Sequence, residues 1–344
     1  MTPESSAPAR ELHAGTTAGE HVSGREITIC MPVYNDWPAV RQLLEQIDDL
    51  AARSKDAVSI VLVDDGSTEP CPPVLHPAVR ALRRIDVVHL RRNVGHQRAI
   101  ALGLCFIHET TRRGLTVVMD ADGEDMPADI WALVDCCRRL DERCVVFARR
   151  TRRTEGLFFR GSYLAYKVLH RLLVGAGVDV GNFSVVPRPL LERIVGISEL
   201  WNHYAAAVFH ARLPLEKLPL ARGRRLSGGS RMNLVSLVTH GLSAISVYSD
   251  VAGVRLLLLA AALYLLAAAG LVAVVVVRLF TDLAIPGWAT NAAGLLLLSA
   301  LSALLLMAVF VQMILQSRNY AQFLPLRDWR FYVASHKTLH ERPD

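Results

Sequence analysis

Two long stretches without a charged residue, Leu256–Val277 and Ala292–Ile314, dominate the C-terminal part of the chain. At 1.5 Å per residue, a helix over either stretch is longer than the ~30 Å hydrocarbon core of a bilayer. Two buried helices of a soluble protein are the alternative, but two such runs on either side of a short loop are typical of a membrane hairpin. The sequence therefore predicts two transmembrane helices over residues 255–316.

Positive charge is distributed unevenly around this hairpin. The loop between the two runs, Arg278–Asn291, carries one Arg and one Asp. The outer flanks carry Arg255, Arg318, Arg327, Arg330 and Lys337. Because cytoplasmic flanks are enriched in Lys and Arg, we expect a protein of the inner or plasma membrane with its large domain and both termini in the cytoplasm.

The segments that flank the hairpin have patterns of their own. In residues 232–254 the apolar side chains fall on one helical face, so an amphipathic segment is predicted there. It lies either in the membrane interface or against the preceding domain. Residues 1–25 are polar and are expected to be a disordered tail, and residues 317–344 a cytoplasmic tail.

Short apolar runs alternate with helix-period segments from residue 26 onward, which predicts an α/β domain over residues 26–231. The predicted strands are Ile27–Met31, Ser59–Val63, Val87–Leu90, Thr116–Met119 and Val145–Ala148. Nearly all of their residues are apolar, as in a parallel sheet that helices cover on both faces. Ligands bind such sheets at the carboxyl ends of the strands.

Charge and cysteine content narrow the class of partner. The formal net charge of +6 favours an anionic partner, namely an acidic membrane surface, a phosphorylated substrate or nucleic acid. The basic clusters Arg149–Arg153 and Arg222–Arg231 lack interleaved aromatic residues, so nucleic acid is disfavoured. The six cysteines form no C-x-x-C pair, and the simplest interpretation is a domain that lies in a reducing compartment.

An acidic loop follows the fourth predicted strand. The run Asp120-Ala121-Asp122-Gly123-Glu124-Asp125 places four carboxylates within six positions. Crowded like charges are costly unless a cation neutralises them, and hard oxygen ligands suit Mg²⁺ or Mn²⁺. A solvated acidic loop is the alternative, but a divalent metal site is the favoured interpretation.

Two further strand ends carry polar motifs, Pro32-Val33-Tyr34-Asn35-Asp36 and Asp64-Asp65-Gly66-Ser67. Carboxylates there can bond a nucleotide base or ribose, although D-D-G-S is also a common helix-entry turn. With the D-A-D motif, this ordered set resembles family 2 of the glycosyltransferases, which have the GT-A fold. The segment Arg91–Ala99 is similar to the R-N-x-G-H-Q-x-A segment of the bactoprenol glucosyltransferases and dolichyl-phosphate mannosyltransferases within that family.

The resemblance implies a sugar transfer from a UDP- or GDP-linked donor onto a membrane polyprenyl phosphate, with a possible homo-oligomer. It assigns the nucleoside pocket to Pro32, Tyr34, Asp36, Val63 and Asp65. It places Asp120 and Ala121 against the nucleotide, with Asp120, Asp122 and Glu124 as metal ligands. It implies that Arg149 contacts the donor phosphates, and that Arg225 and Arg231 contact phosphate groups at the membrane surface. A solvated or headgroup-binding loop is the alternative for those last two arginines.

The chain departs from the family pattern at Gly181-Asn182-Phe183-Ser184-Val185, where relatives often show G-D-F-R-L. An amide replaces a carboxylate there. A phosphate acceptor needs no strong base, whereas a hydroxyl acceptor would need one, with Asp125 or His203 as candidates. A single inverting transfer to lipid phosphate is the first hypothesis. Another membrane-proximal acceptor is the second, and a non-catalytic membrane scaffold the third.

Overall fold

The structure, a computed structural model, describes residues 26–342 with gaps at 74, 76–78, 151–170, 173–174, 176–178, 222, 224, 227–241, 282–286 and 320–322, and without the side chains of 316–319. The predicted tail over residues 1–25, Arg231 and residues 232–241 of the predicted amphipathic segment therefore lie outside the described residues.

The described residues contain one eight-stranded mixed sheet of order β7-β5-β6-β4-β1-β2-β3-β8. The strands are β1 Glu26–Val33, β2 Ala57–Asp64, β3 Arg84–Leu90, β4 Leu115–Val118, β5 Val145–Arg150, β6 Ser184–Pro187, β7 Leu215–Leu220 and β8 Val333–Glu341. All five predicted strands are confirmed. The expectation of an all-parallel sheet is wrong at two places, because β6 and β8 run antiparallel to their neighbours.

Helices cover both faces of the sheet. The helices of the described residues are α1 Trp37–Ala51, α2 His96–Thr110, α3 Pro127–Arg139, α4 Arg188–Val195, α5 Tyr204–His210, α6 Ser249–Phe280, α7 Trp288–Asn319 and α8 Pro325–Asp328, with 3-10 turns at Ser198–Trp201 and Trp329–Tyr332. The apolar faces of α1 and α3 bury one side of the sheet, and those of α2, α4 and α5 bury the other. The strand ends are thereby left as the open edge.

Helices α6 and α7 are each 32 residues long and pack against each other. Small residues of α6 face α7, with Gly253 against Ile314 and Gly270 against Leu296. Their outward leucines are exposed, for example Leu266 at 71%. A soluble core helix would bury these side chains, so that alternative is wrong. Both helices are long and apolar enough to span a membrane, with a mean hydropathy of 2.6.

Strand β8 belongs to residues 317–344, which the sequence predicts as a cytoplasmic tail. It pairs antiparallel with β3. The Asp86 carboxylate, which is buried, accepts hydrogen bonds from His336 Nε2 at 2.9 Å, Thr338 Oγ1 at 2.8 Å and Arg84 Nε at 2.7 Å. The sheet of the N-terminal domain is therefore completed by residues that follow both apolar helices.

We expect Asp86→Ala to lower the free energy of unfolding by about 2–3 kcal/mol, because it removes the buried carboxylate that the partly exposed side chains of Arg84, His336 and Thr338 share as their acceptor. Urea unfolding of the detergent-solubilised protein, followed by tryptophan fluorescence, measures this. The matched control is Asp49→Ala, whose carboxylate is exposed and pairs with Arg80 at 3.6 Å. A control loss as large as that of Asp86→Ala would contradict this role of β8.

Candidate active site

The acidic loop lies at the open edge of the sheet and folds back on itself. The Asp125 carboxylate accepts a hydrogen bond from the backbone N–H of Asp120 at 2.9 Å. The Asp122 carboxylate accepts one from the backbone N–H of Glu124 at 3.0 Å. Gly123 supplies the left-handed turn, at φ +86°. The loop thus holds its carboxylates in fixed positions.

Cationic groups surround these carboxylates. Arg150 reaches Asp125 at 3.4 Å and Glu124 at 3.7 Å. Arg225 lies between Asp122, at 3.7 Å, and Asp36, at 3.5 Å. The nucleoside motif after β1 and the acidic loop after β4 are therefore joined by one guanidinium.

The His96 imidazole also contacts this loop, with Nε2 3.0 Å from the Asp120 carboxylate. Burial opposes charge on His96, but the carboxylates of Asp120, Asp122 and Asp65 outweigh it and raise its pKa. Burial likewise opposes ionisation of Asp120, yet His96 and Asn182 hold the pKa of Asp120 below its usual range. The Asp120 carboxylate is therefore stabilised in its ionised form.

Asp125 has the opposite character. Burial, together with the neighbouring charge of Asp120, raises the pKa of Asp125 to about 7. Burial and the charges of Asp120 and Glu124 also raise the pKa of Asp122. Within this loop Asp120 keeps its charge most readily, and Asp125 is the carboxyl group that can hold a proton near neutral pH.

The predicted metal ligands Asp120, Asp122 and Glu124 lie on one loop, but no three carboxylate, imidazole or thiol groups of the described residues form a metal cage. Mg²⁺ commonly binds through one or two protein carboxylates and substrate phosphates instead. The dense negative charge and oxygen donors of this loop fit such an open site. They do not fit a closed protein cage.

A polar relay reaches Asp120 from the other face of the sheet. Gln97 accepts the backbone N–H of Tyr204 at 2.8 Å and donates to Asn182 Oδ1 at 3.0 Å. Asn182 Nδ2 in turn lies 3.4 Å from Asp120 Oδ1 and 3.1 Å from His96 Nε2. His96 and Gln97 belong to the R-N-x-G-H-Q-x-A motif, from which no role was predicted for either residue. Asn182 therefore bridges Gln97 and Asp120.

The nucleoside motifs of β1 and β2 lie side by side, with Pro32 opposite Val63 in the parallel ladder. Asp65 is buried, and its carboxylate accepts the backbone N–H groups of Val94 at 2.7 Å and Gly95 at 3.0 Å. Asp65 therefore positions the loop that enters α2. Tyr34 is exposed at this edge.

Two predicted residues lie apart from the cluster. Arg149 pairs with Asp179 at 3.3 Å, on the opposite face of the sheet from Arg150. Because side chains alternate along a strand, only one of these two arginines can face the acidic loop, and it is Arg150. His203 is buried and caps α5, with Nδ1 accepting the backbone N–H of Ala206 at 3.3 Å.

The segment after β7 packs directly on the acidic loop. Gly223 N–H donates to the Glu124 carbonyl at 2.9 Å, and Leu226 N–H donates to the Asp122 carbonyl at 2.9 Å. A Cβ on Gly123 would lie 2.4 Å from Leu226 Cγ. Glycine at 123 thus lets this segment approach the loop and deliver Arg225 to it.

Comparison with known proteins identifies relatives of the chain. Residues 28–195 match the family model described as Glycosyl transferase family 2. The chain is 25% identical over 289 residues to the uncharacterized glycosyltransferase YkcC of Bacillus subtilis (strain 168), across 82% of this chain and 86% of that protein. It is 27% identical to the undecaprenyl-phosphate 4-deoxy-4-formamido-L-arabinose transferase of Klebsiella pneumoniae (strain 342), across 62% of this chain and 64% of that protein. The chain thus spans just under two thirds of the second relative.

Among solved structures, glucosyl-3-phosphoglycerate synthase from Mycobacterium tuberculosis, in complex with Mn²⁺, UDP and glucosyl-3-phosphoglycerate, aligns with a TM-score of 0.47 at 18% identity. The alignment covers 67% of this chain and 81% of that one. Mannosyl-3-phosphoglycerate synthase from Rubrobacter xylanophilus aligns with a TM-score of 0.46 at 17% identity, over 65% of this chain and 72% of that one.

We expect Gly123→Ala to cost about 1–3 kcal/mol in free energy of unfolding, from left-handed strain and the contact with Leu226. In the double variant Gly123→Ala with Leu226→Ala, part of this cost should disappear because the methyl group gains room. Gly196→Ala is the control, since its Cβ meets nothing closer than 3.7 Å. Strict additivity of the two changes in urea unfolding would refute the contact.

The raised pKa of Asp125 predicts a pH-dependent effect. In EDTA, Asp125→Asn should raise the free energy of unfolding by about 1–3 kcal/mol at pH 8.5, and this gain should shrink as the pH is lowered and vanish near pH 4. Above the folded pKa of about 7 the native carboxylate is charged and buried, and the cost falls progressively between that value and the ordinary carboxyl pKa of 3.8, below which the unfolded chain is protonated as well. Asp49→Asn, at an exposed carboxylate, should show no such pH dependence. Destabilisation by Asp125→Asn at pH 8.5 would contradict the assignment.

Proposed function

Because residues 28–195 form a family 2 glycosyltransferase domain, we propose that this glycosyltransferase moves one sugar from a nucleotide-sugar donor to a membrane polyprenyl phosphate, with inversion at the anomeric carbon. One observation carries the proposal. The segment that packs on the acidic loop, and that brings Arg225 to it, continues toward α6, the first of two helices suited to span a membrane. The donor site and the membrane are thus joined by one short stretch of chain.

The donor nucleotide, UDP- or GDP-linked, would lie along the carboxyl ends of β1, β2 and β4. Pro32, Tyr34 and Asp36 would line the nucleoside pocket from β1, and Val63 and Asp65 from β2. Asp120 and Ala121 would face the ribose and diphosphate. Arg150, and not the predicted Arg149, would contact the donor phosphates, because Arg150 lies at the acidic loop.

A bound Mg²⁺ or Mn²⁺ would supply Lewis-acid stabilisation of the leaving diphosphate. Asp122 and Glu124 would hold it, with Asp120 oriented beside them by His96 and Asn182. Arg150 and Arg225 provide fixed positive charge on either side of the loop, where the leaving nucleotide develops negative charge. This is electrostatic stabilisation by groups already in place.

The acceptor is proposed to be a phosphate because the described residues of the site offer a hydroxyl acceptor no well-placed base. Asp125 has a suitable pKa but is buried, with its oxygens on the Asp120 N–H and Arg150. His203 is occupied as a helix cap. A phosphate monoester is already ionised near neutral pH, so the neutral Asn182 is acceptable beside Asp120. Arg225, together with Arg231, would bind the acceptor phosphate.

The proposed topology is a hairpin with both ends in the cytoplasm. The chain before α6 packs on α5 through Val247 and Tyr248, and the chain after α7 returns to pair with β3. Two crossings return the chain to the side where it began, which supports a single domain on that side. The basic flanks assign that side to the cytoplasm.

The acceptor is tested by assaying membranes against a panel of UDP- and GDP-sugars with polyprenyl phosphate. Arg225→Ala should lower kcat/KM for lipid phosphate by about 10- to 100-fold, as for loss of a charge-assisted hydrogen bond of about 1.5–3 kcal/mol. Arg225→Lys should recover only part of this, because the guanidinium fork is lost. Asp122→Asn should remove the divalent-ion-dependent activity while leaving the fold intact. Arg41→Ala, on the exposed face of α1, is the control.

A native enzyme that ignores polyprenyl phosphates of every length but glycosylates a neutral lipid would overturn this acceptor and favour the hydroxyl class. Turnover that is insensitive to EDTA would contradict the proposed Mg²⁺ or Mn²⁺ site.

Topology has its own test. A cysteine at Thr290, which is exposed at the start of α7, should react with an impermeant maleimide in intact cells. A cysteine at Arg53, exposed on the domain, should react only after permeabilisation. The reverse pattern would contradict the orientation.

A further inference from the structure

An aromatic cluster lies where the chain leaves α7. Phe323 stacks on Trp201 with ring centroids 3.9 Å apart, and Tyr332 lies 4.9 Å from Trp201 and 5.5 Å from Phe323. The neighbouring Phe331 side chain points away from the protein and is 77% exposed. Among the large apolar side chains that the structure describes outside α6 and α7, none is more exposed. We call Trp201, Phe323, Phe331 and Tyr332 the aromatic patch.

Arginines surround this patch. Arg98 lies over the Trp201 ring, with Cζ 5.0 Å from the ring centroid. Arg91 Nε donates to the Phe331 carbonyl at 3.1 Å. Arg327 and Arg330 flank Phe331 in sequence, with exposed guanidinium groups that pair with Asp328 and Glu109. These four guanidinium groups outnumber the two carboxylates of Asp328 and Glu109, so this set of charges is net positive.

The patch is close to the end of the second apolar helix. The uncharged run ends at Ile314, α7 ends at Asn319, and Phe323 follows four residues later. Helical rise and the length of an extended chain put Phe323 within about 22 Å of the end of the apolar run. If α7 crosses the bilayer, the patch lies beside the headgroup layer.

We propose that the aromatic patch docks into the headgroup layer of an anionic leaflet, with Phe331 inserted and Arg327 and Arg330 near lipid phosphates. This inference rests on the membrane hairpin of the proposed function. Aromatic rings and arginines are the side chains that favour this interface, and juxtamembrane basic residues are attracted to anionic lipid. The occupant is the lipid surface itself, because the patch continues directly from a helix that is suited to the bilayer.

Docking would give the domain a second attachment besides the hairpin and fix its tilt. Arg98 belongs to the first turn of α2, next to His96 and Gln97, which contact Asp120 and Asn182. The patch and the acidic loop are thus linked through one helix end. The height of the active site above the membrane would then be set by the depth of Phe331.

The test uses the full-length protein in vesicles of phosphatidylcholine with 30% phosphatidylglycerol. Nitroxide labels are placed one at a time at Phe331→Cys, at Leu301→Cys in α7 and at Arg53→Cys on the domain. Collisional accessibility to oxygen and to a water-soluble nickel complex reports the depth of each label. We expect Leu301 in the hydrocarbon, Phe331 at headgroup depth and Arg53 in water, with position 331 moving outward in pure phosphatidylcholine.

A label at 331 as accessible to nickel as the label at Arg53, with Leu301 in the hydrocarbon, would overturn the docking proposal alone. A nickel-accessible label at Leu301 would overturn the hairpin, and the docking proposal with it. Phe331→Ser provides a second readout with intact folding, because this side chain is exposed. It should move a nitroxide at Ser335→Cys toward water, and an unchanged depth there would count against insertion of Phe331.

Discussion

The site depends on the balance of charge around the acidic loop. Four carboxylates between residues 120 and 125, and a fifth at Asp36, lie where the sheet is open. Their mutual repulsion would destabilise the fold without nearby cations. Arg150 and Arg225 supply these cations and His96 is a further partner for Asp120, and each of the three comes from a different part of the chain. The contacts that assemble the site therefore also stabilise this edge of the domain.

This charge balance also explains why the loop carries more carboxylates than a bound metal ion would require as ligands. The Asp125 carboxylate accepts the Asp120 N–H and pairs with Arg150, so it stabilises the conformation of the loop. Asp65 serves in the same way at the entry of α2. Buried carboxylates at this edge act as acceptors for backbone amides, and the more accessible ones are left for ligands.

Much of the architecture could be predicted from local pattern, because buried parallel strands are short apolar runs and lipid-facing helices are long ones. Strand β8 could not, because its sequence V-A-S-H-K-T-L-H-E is largely polar. Its pairing depends on a contact between His336 and Asp86, 250 residues apart. The acidic loop was recognisable for its density of carboxylates. The choice between Arg149 and Arg150 was not, since a strand buried on both faces gives no alternation to follow. The bridge from Gln97 to Asn182 spans 85 residues and exists only in the fold.

The position of β8 in the chain has a consequence for biosynthesis. Translation supplies β1 to β7 before α6 and α7, and β8 only after them. Until β8 arrives, β3 is an unpaired edge, and such edges recruit other strands and aggregate. The nascent domain therefore remains incomplete while its anchor is being synthesised. A chain in which β8 does not reach the domain exposes β3 as an edge open to other strands, which makes it a substrate for quality control.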